Sequence, residues 1–193
     1  VHLGMTGKFF FINQKKKKYK TSFYYDIDED KDKKHDRVIF NLSKDQKLIY
    51  NDVRKFGFIK FLNKINLDQN FHLKYLGPEP LNKKFNFTYF KRHIIGRNRM
   101  IKDILMDQKF VSGLGNIYVN EILFCSGIKP TKKIQKLLDS EIKKIIKITK
   151  KILSQAIALG GSSIKDFSSS NGKKGLFQQH FSVYGRKGEK CLN

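Results

Sequence analysis

The sequence predicts an α+β protein in which a β-rich part is followed by a helical part. Residues 1–62 contain short aromatic and β-branched runs separated by turn residues, the pattern of antiparallel strands. From Asn86 onward, apolar residues recur at helical spacing. Between the two parts, residues 76–81 hold two of the three prolines, and we interpret this stretch as an extended linker.

Strands and helices can be placed in order along these parts. The predicted strands cover residues 7–13, 21–25, 37–42, 47–50 and 56–62, with a hairpin loop at 43–46. The predicted helices cover residues 87–95, 100–106, 116–126 and 140–159. Residues 181–191 are predicted to form a strand that enters a turn.

The last predicted helix has the clearest amphipathic pattern. Asp139 or Ser140 can cap its start, and Gly160 and Gly161 stop it. Its lysines are interpreted as a solvated face. The apolar face is predicted to consist of Ile142, Ile145, Ile146, Ile152, Leu153, Ala156 and Ile157.

Charge and cysteine usage limit the possible functions. The chain carries 40 Lys and Arg against 17 Asp and Glu, a net charge of +23. This excess favours nucleic acid as a partner, although AT-rich coding also produces lysine-rich chains. Two cysteines give no disulfide framework and fit a reducing compartment; Cys125 is expected to be a buried core residue. No apolar run spans a bilayer and no signal peptide is apparent.

Three short stretches suggest contacts with nucleic acid. Gly113 and Gly115 precede a helix that begins at Asn116, whose side chain could cap the helix or bind a phosphate. In a strand, Arg54 and Phe56 would face the same way and could replace a base, or Phe56 could lie in the core. Met5, at a glycine-flanked turn, is either an apolar wedge or an ordinary buried methionine.

Other catalytic or metal-binding patterns are weak. Cys191 could begin a zinc ribbon, but a lone cysteine cannot form a tetrahedral site. The five histidines show no ligand spacing, and neither a P-loop nor a His-Glu-x-x-His motif occurs.

Six blocks in order make the chain resemble the bacterial formamidopyrimidine-DNA glycosylases, over essentially its whole length. They are His-Leu-Gly-Met-Thr-Gly at 2–7, Asp-Val-Arg-Lys-Phe-Gly at 52–57, Leu-Gly-Pro-Glu-Pro-Leu at 76–81, Asp-Gln-Lys-Phe-Val-Ser-Gly-Leu-Gly-Asn-Ile-Tyr at 107–118, Gly-Gly-Ser-Ser-Ile-Lys-Asp-Phe at 160–167 and Val-Tyr-Gly-Arg-Lys-Gly at 183–188.

The resemblance implies a base-excision-repair enzyme that acts as DNA glycosylase and AP lyase. It would flip oxidised purines, such as 8-oxoguanine and formamidopyrimidines, out of damaged double-stranded DNA, excise them and cleave the strand by β,δ-elimination. The implied domains are the remainder of an N-terminal β-sandwich (1–76), a linker (77–85), a helix-two-turns-helix domain (86–180) and the start of a truncated zinc finger (181–193). DNA would lie in the cleft between the domains of a monomeric, cytoplasmic protein.

The resemblance also implies roles for individual residues. Met5, Arg54 and Phe56 would fill the space left by the flipped base, with Arg54 facing the orphaned cytosine. Residues 168–175 match the segment that closes over that base. The other DNA contacts would be His35, Arg97, Asn116 at a phosphate, Lys165 and Tyr184, and Cys191 would be the one zinc ligand present.

The chain departs from the family pattern at the catalytic groups. The proline nucleophile, the glutamate after it, a hairpin lysine and a zinc-finger arginine have no match here. We therefore expect a fragment cut at both ends that is catalytically incompetent and does not bind Zn²⁺ by itself. The alternatives are an endonuclease VIII-type glycosylase for oxidised pyrimidines and a non-catalytic paralogue that binds damaged DNA.

Overall fold

The computed structural model of the chain describes residues 1–4, 6–15, 18–20, 33–162 and 176–192. The chain divides into two compact units, Val1–Leu62 with Leu159–Gln178, and Asn63–Ala158 with Gln179–Asn193. The described part of the first contains a β-sheet and that of the second is helical, which confirms the α+β class. The predicted domain boundaries stay predictions. No helix within the described residues combines the length and apolar character needed to cross a membrane.

The first unit contains an antiparallel sheet, whose strands within the described residues are β1 (Lys8–Ile12), β2 (Lys18–Lys20), β3 (Asp36–Asn41) and β4 (Lys47–Asn51). The strand order is β2-β1-β4-β3. Phe10 of β1 lies opposite Ile49 of β4, and both side chains are buried. Lys44 and Asp45 have positive φ angles and form the predicted hairpin turn, where the Leu42 N–H donates to the Gln46 carbonyl at 2.9 Å.

One predicted strand is wrong and one observed strand was not predicted. The strand expected at residues 56–62 is wrong, because the backbone takes a left-handed conformation at Lys55 (φ 58°) and only Phe58 pairs, with His2, in an isolated bridge. The lysine-rich β2 was missed, since strand propensity gives it little signal. The strand expected at 21–25 lies outside the described residues.

The second unit is built around a fully buried aromatic cluster. Phe85, Phe90 and Phe110 are each 0% exposed, and the rings of Phe90 and Phe110 meet edge to face at 5.0 Å. The first three predicted helices are confirmed to within one residue at each end. The α-helices are α1 (Phe71–Lys74), α2 (Phe87–Ile94), α3 (Ile101–Met106), α4 (Asn116–Ser126) and α5 (Asp139–Ala158); short 3-10 helices cover Lys33–His35, Lys64–Gln69, Ile134–Lys136 and Phe177–His180.

The long helix α5 follows the predicted pattern with two differences. Ile142, Ile145, Ile152 and Ala156 are buried as expected, whereas Ile157 is 68% exposed. Asp139 and Ser140 both lie inside the helix, so neither is the predicted cap. The Glu141 carboxylate instead accepts from the Leu138 N–H at 2.8 Å and from Lys132.

Two further expectations for the second unit are wrong. Cys125 is exposed, because it lies on the side of α4 that faces away from the core. Residues 181–191 form successive turns instead of a strand, since a side chain on α4 holds their amides, as described below.

Candidate nucleic-acid interface

Arg54 and Phe56 form an exposed pair on the first unit. The Arg54 guanidinium lies over the Phe56 ring at 4.5 Å from its centroid, and 56% of Phe56 is exposed. They meet on a turn after β4, and not on the strand that their spacing suggested. The alternative that Phe56 belongs to the core is wrong. The pair presents a flat ring and a planar cation to solvent, a combination that can stack on bases.

The turn that carries this pair is organised by one buried carboxylate. Asp52 is 1% exposed and accepts hydrogen bonds from the Thr6 hydroxyl, from the Tyr50 hydroxyl at 3.1 Å and from the Gly57 N–H at 2.9 Å. The same Thr6 oxygen accepts from the Arg54 N–H at 3.0 Å. Residues 2–7 and 52–57 are thus joined through side-chain and backbone hydrogen bonds.

These contacts set the ionisation of the Asp52 carboxyl group and the Tyr50 hydroxyl group, which are both buried. Burial alone raises the pKa of Asp52, but the hydrogen bonds from Thr6, Gly57, Tyr50 and Lys55 outweigh it and hold that pKa below its ordinary value of 3.8. Burial, with the adjacent Asp52 carboxylate, raises the pKa of Tyr50 to about 12. At neutral pH, Asp52 is therefore a carboxylate and the neighbouring Tyr50 is a neutral phenol.

Close packing also requires glycine at position 57. A Cβ atom there would lie 2.0 Å from the Tyr50 hydroxyl oxygen and 2.7 Å from the His2 carbonyl oxygen. Gly57 is therefore needed for space, in a segment where His2 and Phe58 exchange backbone hydrogen bonds of 2.8 and 2.9 Å.

On the second unit, two successive turns separate α3 from α4. The Gln108 side chain braces them: its carbonyl oxygen accepts from the Gly113 N–H at 2.7 Å and its amide donates to the Leu114 carbonyl at 2.8 Å. Gly113 has φ 86°, which favours glycine. Asn116 is the first residue of α4 and is exposed.

The helix start at Asn116 is open to an anion. Gly115 is the N-cap residue and provides no side-chain hydrogen bond, so of the two alternatives for Asn116, capping of the helix is wrong. The Asn116 oxygen instead accepts from the Asn120 amide at 3.3 Å. The first N–H groups of an α-helix lack intrahelical partners, and a Cβ built at Gly115 would meet nothing within 4 Å. Backbone donors and the Asn116 amide can therefore approach a phosphate.

Tyr184 is positioned by a buried carboxylate on helix α4. Glu121 is 2% exposed and accepts from the backbone N–H groups of Ser182 (2.7 Å), Val183 (3.0 Å) and Tyr184 (2.8 Å). The Tyr184 ring packs edge to face against Phe181 at 5.7 Å. One acidic residue thus fixes the path of the segment that follows residue 180.

The structure also places the other residues predicted to bind DNA or metal. His35 is half-buried and accepts through its carbonyl from the Asp52 N–H at 3.0 Å. Arg97 is exposed between α2 and α3. Cys191 is exposed, and no group of three metal-binding side chains occurs among the described residues; one thiolate does not make a four-ligand zinc site. Met5, Lys165 and residues 168–175 lie outside the described residues.

Two residues that organise these surfaces were missed in the sequence. Asp52 lies within a block that carries the family resemblance and Glu121 lies within the predicted helix 116–126, but neither residue was assigned a role. The signal for Glu121 was its position among the buried residues Val119, Ile122 and Leu123, because a carboxylate there must find several donors.

Comparisons with known proteins agree with this arrangement. The family model for the formamidopyrimidine-DNA glycosylase N-terminal domain matches residues 1–59, and the model for the H2TH domain of that family matches residues 76–168. Formamidopyrimidine-DNA glycosylase of Rickettsia felis is 40% identical over all 193 residues, and that of Ruegeria pomeroyi is 41% identical over 158 residues, 82% of the chain. The chain spans 64% of the length of the Rickettsia felis protein and 56% of the length of the Ruegeria pomeroyi protein.

A similar solved structure is a mutant FPG of Lactococcus lactis in complex with DNA containing Fapy-dG. It has a TM-score of 0.79 and 34% identity, covering all of this chain and 65% of the other. A complex of the Lactococcus lactis protein with DNA containing an abasic site gives the same values.

Proposed function

Because the chain belongs to the formamidopyrimidine-DNA glycosylase family, we propose that it is the DNA-holding part of a base-excision-repair glycosylase. The protein would flip oxidised purines out of duplex DNA, excise them and cleave the strand by β,δ-elimination. Action in the bacterial cytoplasm as a monomer belongs to the same proposal. The observation that carries the proposal is the exposed stack of Arg54 on Phe56.

The physical reason is the cost of removing a base from the helix. Flipping leaves an unstacked space and an unpaired partner base, and a side chain that fills that space recovers part of the lost energy. Phe56 offers a ring of suitable thickness, and the Arg54 guanidinium offers donors to the orphaned base. Because buried Asp52 fixes their turn, the pair needs little reorganisation on binding.

Binding of the DNA backbone is assigned to the second unit. The open helix start at Asn116 supplies N–H donors for a phosphate, and Tyr184, held through Glu121, supplies a hydroxyl. His35, Arg97, Met5 and Lys165 complete the proposed contacts.

The proposal that Arg54 and Phe56 act as a wedge in place of the flipped base can be tested with a double variant and a charge-matched control. Arg54→Ala/Phe56→Ala is expected to weaken binding to a duplex with 8-oxoguanine opposite cytosine about tenfold, within the range for losing one stacked base. Binding to undamaged duplex should change less. Lys60→Ala, which removes one positive charge from an exposed site in the same unit, should reduce both affinities equally. Equal losses for the double variant on both duplexes would overturn the wedge.

The same duplex tests our proposal that these 193 residues bind without cutting. None of them matches the proline nucleophile, the glutamate or the hairpin lysine of the family. Borohydride should therefore trap no covalent adduct while the duplex is bound. A trapped adduct would show a nucleophile within these residues. We propose that Cys191 is one of four ligands of a Zn²⁺ ion in the longer protein. The binding proposed for these 193 residues does not depend on that ion.

A further inference from the structure

A basic cavity in the second unit has no role in the proposed function. It has a volume of about 630 Å³ and is lined by none of the residues assigned to DNA. Residues 74–78 form one wall, α2 forms another, and Lys109 closes the third. The volume lies in the range of sites that bind small molecules.

The charge of this cavity has one sign. Lys74, Lys84, Arg92 and Lys109 line it, and its lining residues include neither an aspartate nor a glutamate. Four cations in one concavity repel each other, which costs stability unless an anion shares the site. The cavity is therefore suited to an anion with at least one full negative charge.

An aromatic platform lies among these cations. Tyr75 is 49% exposed, and the ammonium groups of Lys74 and Lys109 lie 5.4 and 5.5 Å from its ring centroid. Its ring meets Phe71 edge to face at 6.0 Å. Both ammonium groups lie over the ring. A planar group can stack on the ring by displacing an ammonium group, which then pairs with an anion attached to that planar group.

The walls are fixed by hydrogen bonds. The Gly77 N–H donates to the Gln108 carbonyl at 2.8 Å, and the Ser112 N–H donates to the Pro78 carbonyl at 3.1 Å. At the back of the cavity, the Tyr89 hydroxyl donates to the Phe110 carbonyl at 2.9 Å. The cavity is thus formed before any ligand arrives, which reduces the entropic cost of binding.

We propose that this cavity binds one nucleoside monophosphate unit, with its base stacked on Tyr75 and its phosphate held by the surrounding lysines and Arg92. The unit would be either a free mononucleotide or an unpaired nucleotide of a DNA strand. An acidic peptide would use the cations but leave the ring without a planar partner. A base pair inside a duplex could not present one face to a ring in a concave site.

The experiment measures binding of 5′-phosphorylated hexathymidylate to the full chain by fluorescence anisotropy, with free thymidine monophosphate, thymidine and inorganic phosphate as competitors. Thymidine monophosphate should compete far better than thymidine or phosphate. If it competes as well as the hexamer, the source is a free nucleotide; if the hexamer binds much more tightly, the source is a strand. Equal competition by inorganic phosphate would overturn the proposal.

Variants separate the cavity from general charge. Tyr75→Leu should weaken hexamer binding about fivefold or more, the lower end for loss of one stacked base. Lys74→Ala/Lys109→Ala should weaken it several-fold more than Lys147→Ala/Lys151→Ala, which removes the same charge from α5. Equal losses in the two double variants, or full affinity in the Tyr75 variant, would refute the site. Amide spectra show whether each variant is folded.

Discussion

Glu121→Gln should release the segment that carries Tyr184 from helix α4. The carboxylate accepts three backbone N–H groups at 2.7 to 3.0 Å while 2% exposed. An amide retains one accepting oxygen, so it can keep the bonds from Val183 and Tyr184 but turns an N–H donor toward the Ser182 N–H. A hydrogen bond to a charged group contributes about 1.5–3 kcal/mol, and neutral bonds contribute roughly half as much.

The expected loss follows from these values. Losing the Ser182 bond and weakening the other two should cost roughly 3–5 kcal/mol, because no water replaces the lost acceptor at a buried site. Native-state hydrogen exchange measures this loss locally. The amides of Ser182, Val183 and Tyr184 should lose roughly two to three and a half orders of magnitude of protection, since 1.4 kcal/mol corresponds to a factor of ten. Core amides of α4 should change much less.

Glu189→Gln is the matched control, because Glu189 lies in the same segment, accepts from Arg186 at 2.7 Å and is 57% exposed. It should change protection by less than a factor of about three, the weight of an exposed pair. If Glu121→Gln and Glu189→Gln reduce protection equally, Glu121 does not hold the segment. The placement of Tyr184 would then need another cause.

Further predictions concern the two surfaces and their supports. Because the pKa of Asp52 is low in the folded state, ionisation of Asp52 stabilises the fold above about pH 3.8, its ordinary pKa, and this contribution disappears as the pH falls through the lower folded value. The difference in unfolding free energy between the native chain and Asp52→Asn should therefore be constant at neutral pH and shrink in acid. A difference that grows in acid would contradict this. Gly57→Ala should lower the free energy of unfolding by about 1–3 kcal/mol in urea titrations, because its Cβ would overlap Tyr50, while Gly115→Ala, with open space around the Cβ, should cost less than about 1 kcal/mol. Asn116→Ala should weaken duplex binding in gel-shift assays to a similar degree for all flanking sequences, because phosphate contacts carry little sequence information; unchanged affinity would exclude Asn116 as a phosphate ligand.

Helices α2 to α5 could be predicted from the sequence because their causes are local, whereas the short α1 was missed. Helix α4 begins at Asn116 and ends at Ser126 as expected, since an apolar run is bounded by glycines and Gly127 takes the left-handed conformation at φ 69°. The hairpin between β3 and β4 was predictable for the same reason. The pairing of Arg54 with Phe56 was also anticipated, although on the basis of a strand that does not form.

The remaining features depend on contacts between residues distant in sequence. The strand expected at 56–62 fails because Asp52, bonded to Thr6 from another segment, takes the amide of Gly57. The strand expected at 181–191 fails because Glu121, 61 residues earlier, holds the Ser182 amide. Neither contact leaves a periodic signal, so propensity alone could not reveal them.

The most direct test asks whether the chain holds DNA through these surfaces or through its net charge of +23. Amide resonances of the full ¹⁵N-labelled chain can be followed during titration with an 8-oxoguanine duplex. We predict the largest shifts at Arg54, Phe56, Gly115 and Asn116, with little change along the lysine-rich face of α5. Shifts concentrated on that face, with Arg54 and Asn116 unchanged, would contradict a built DNA interface and indicate non-specific attraction.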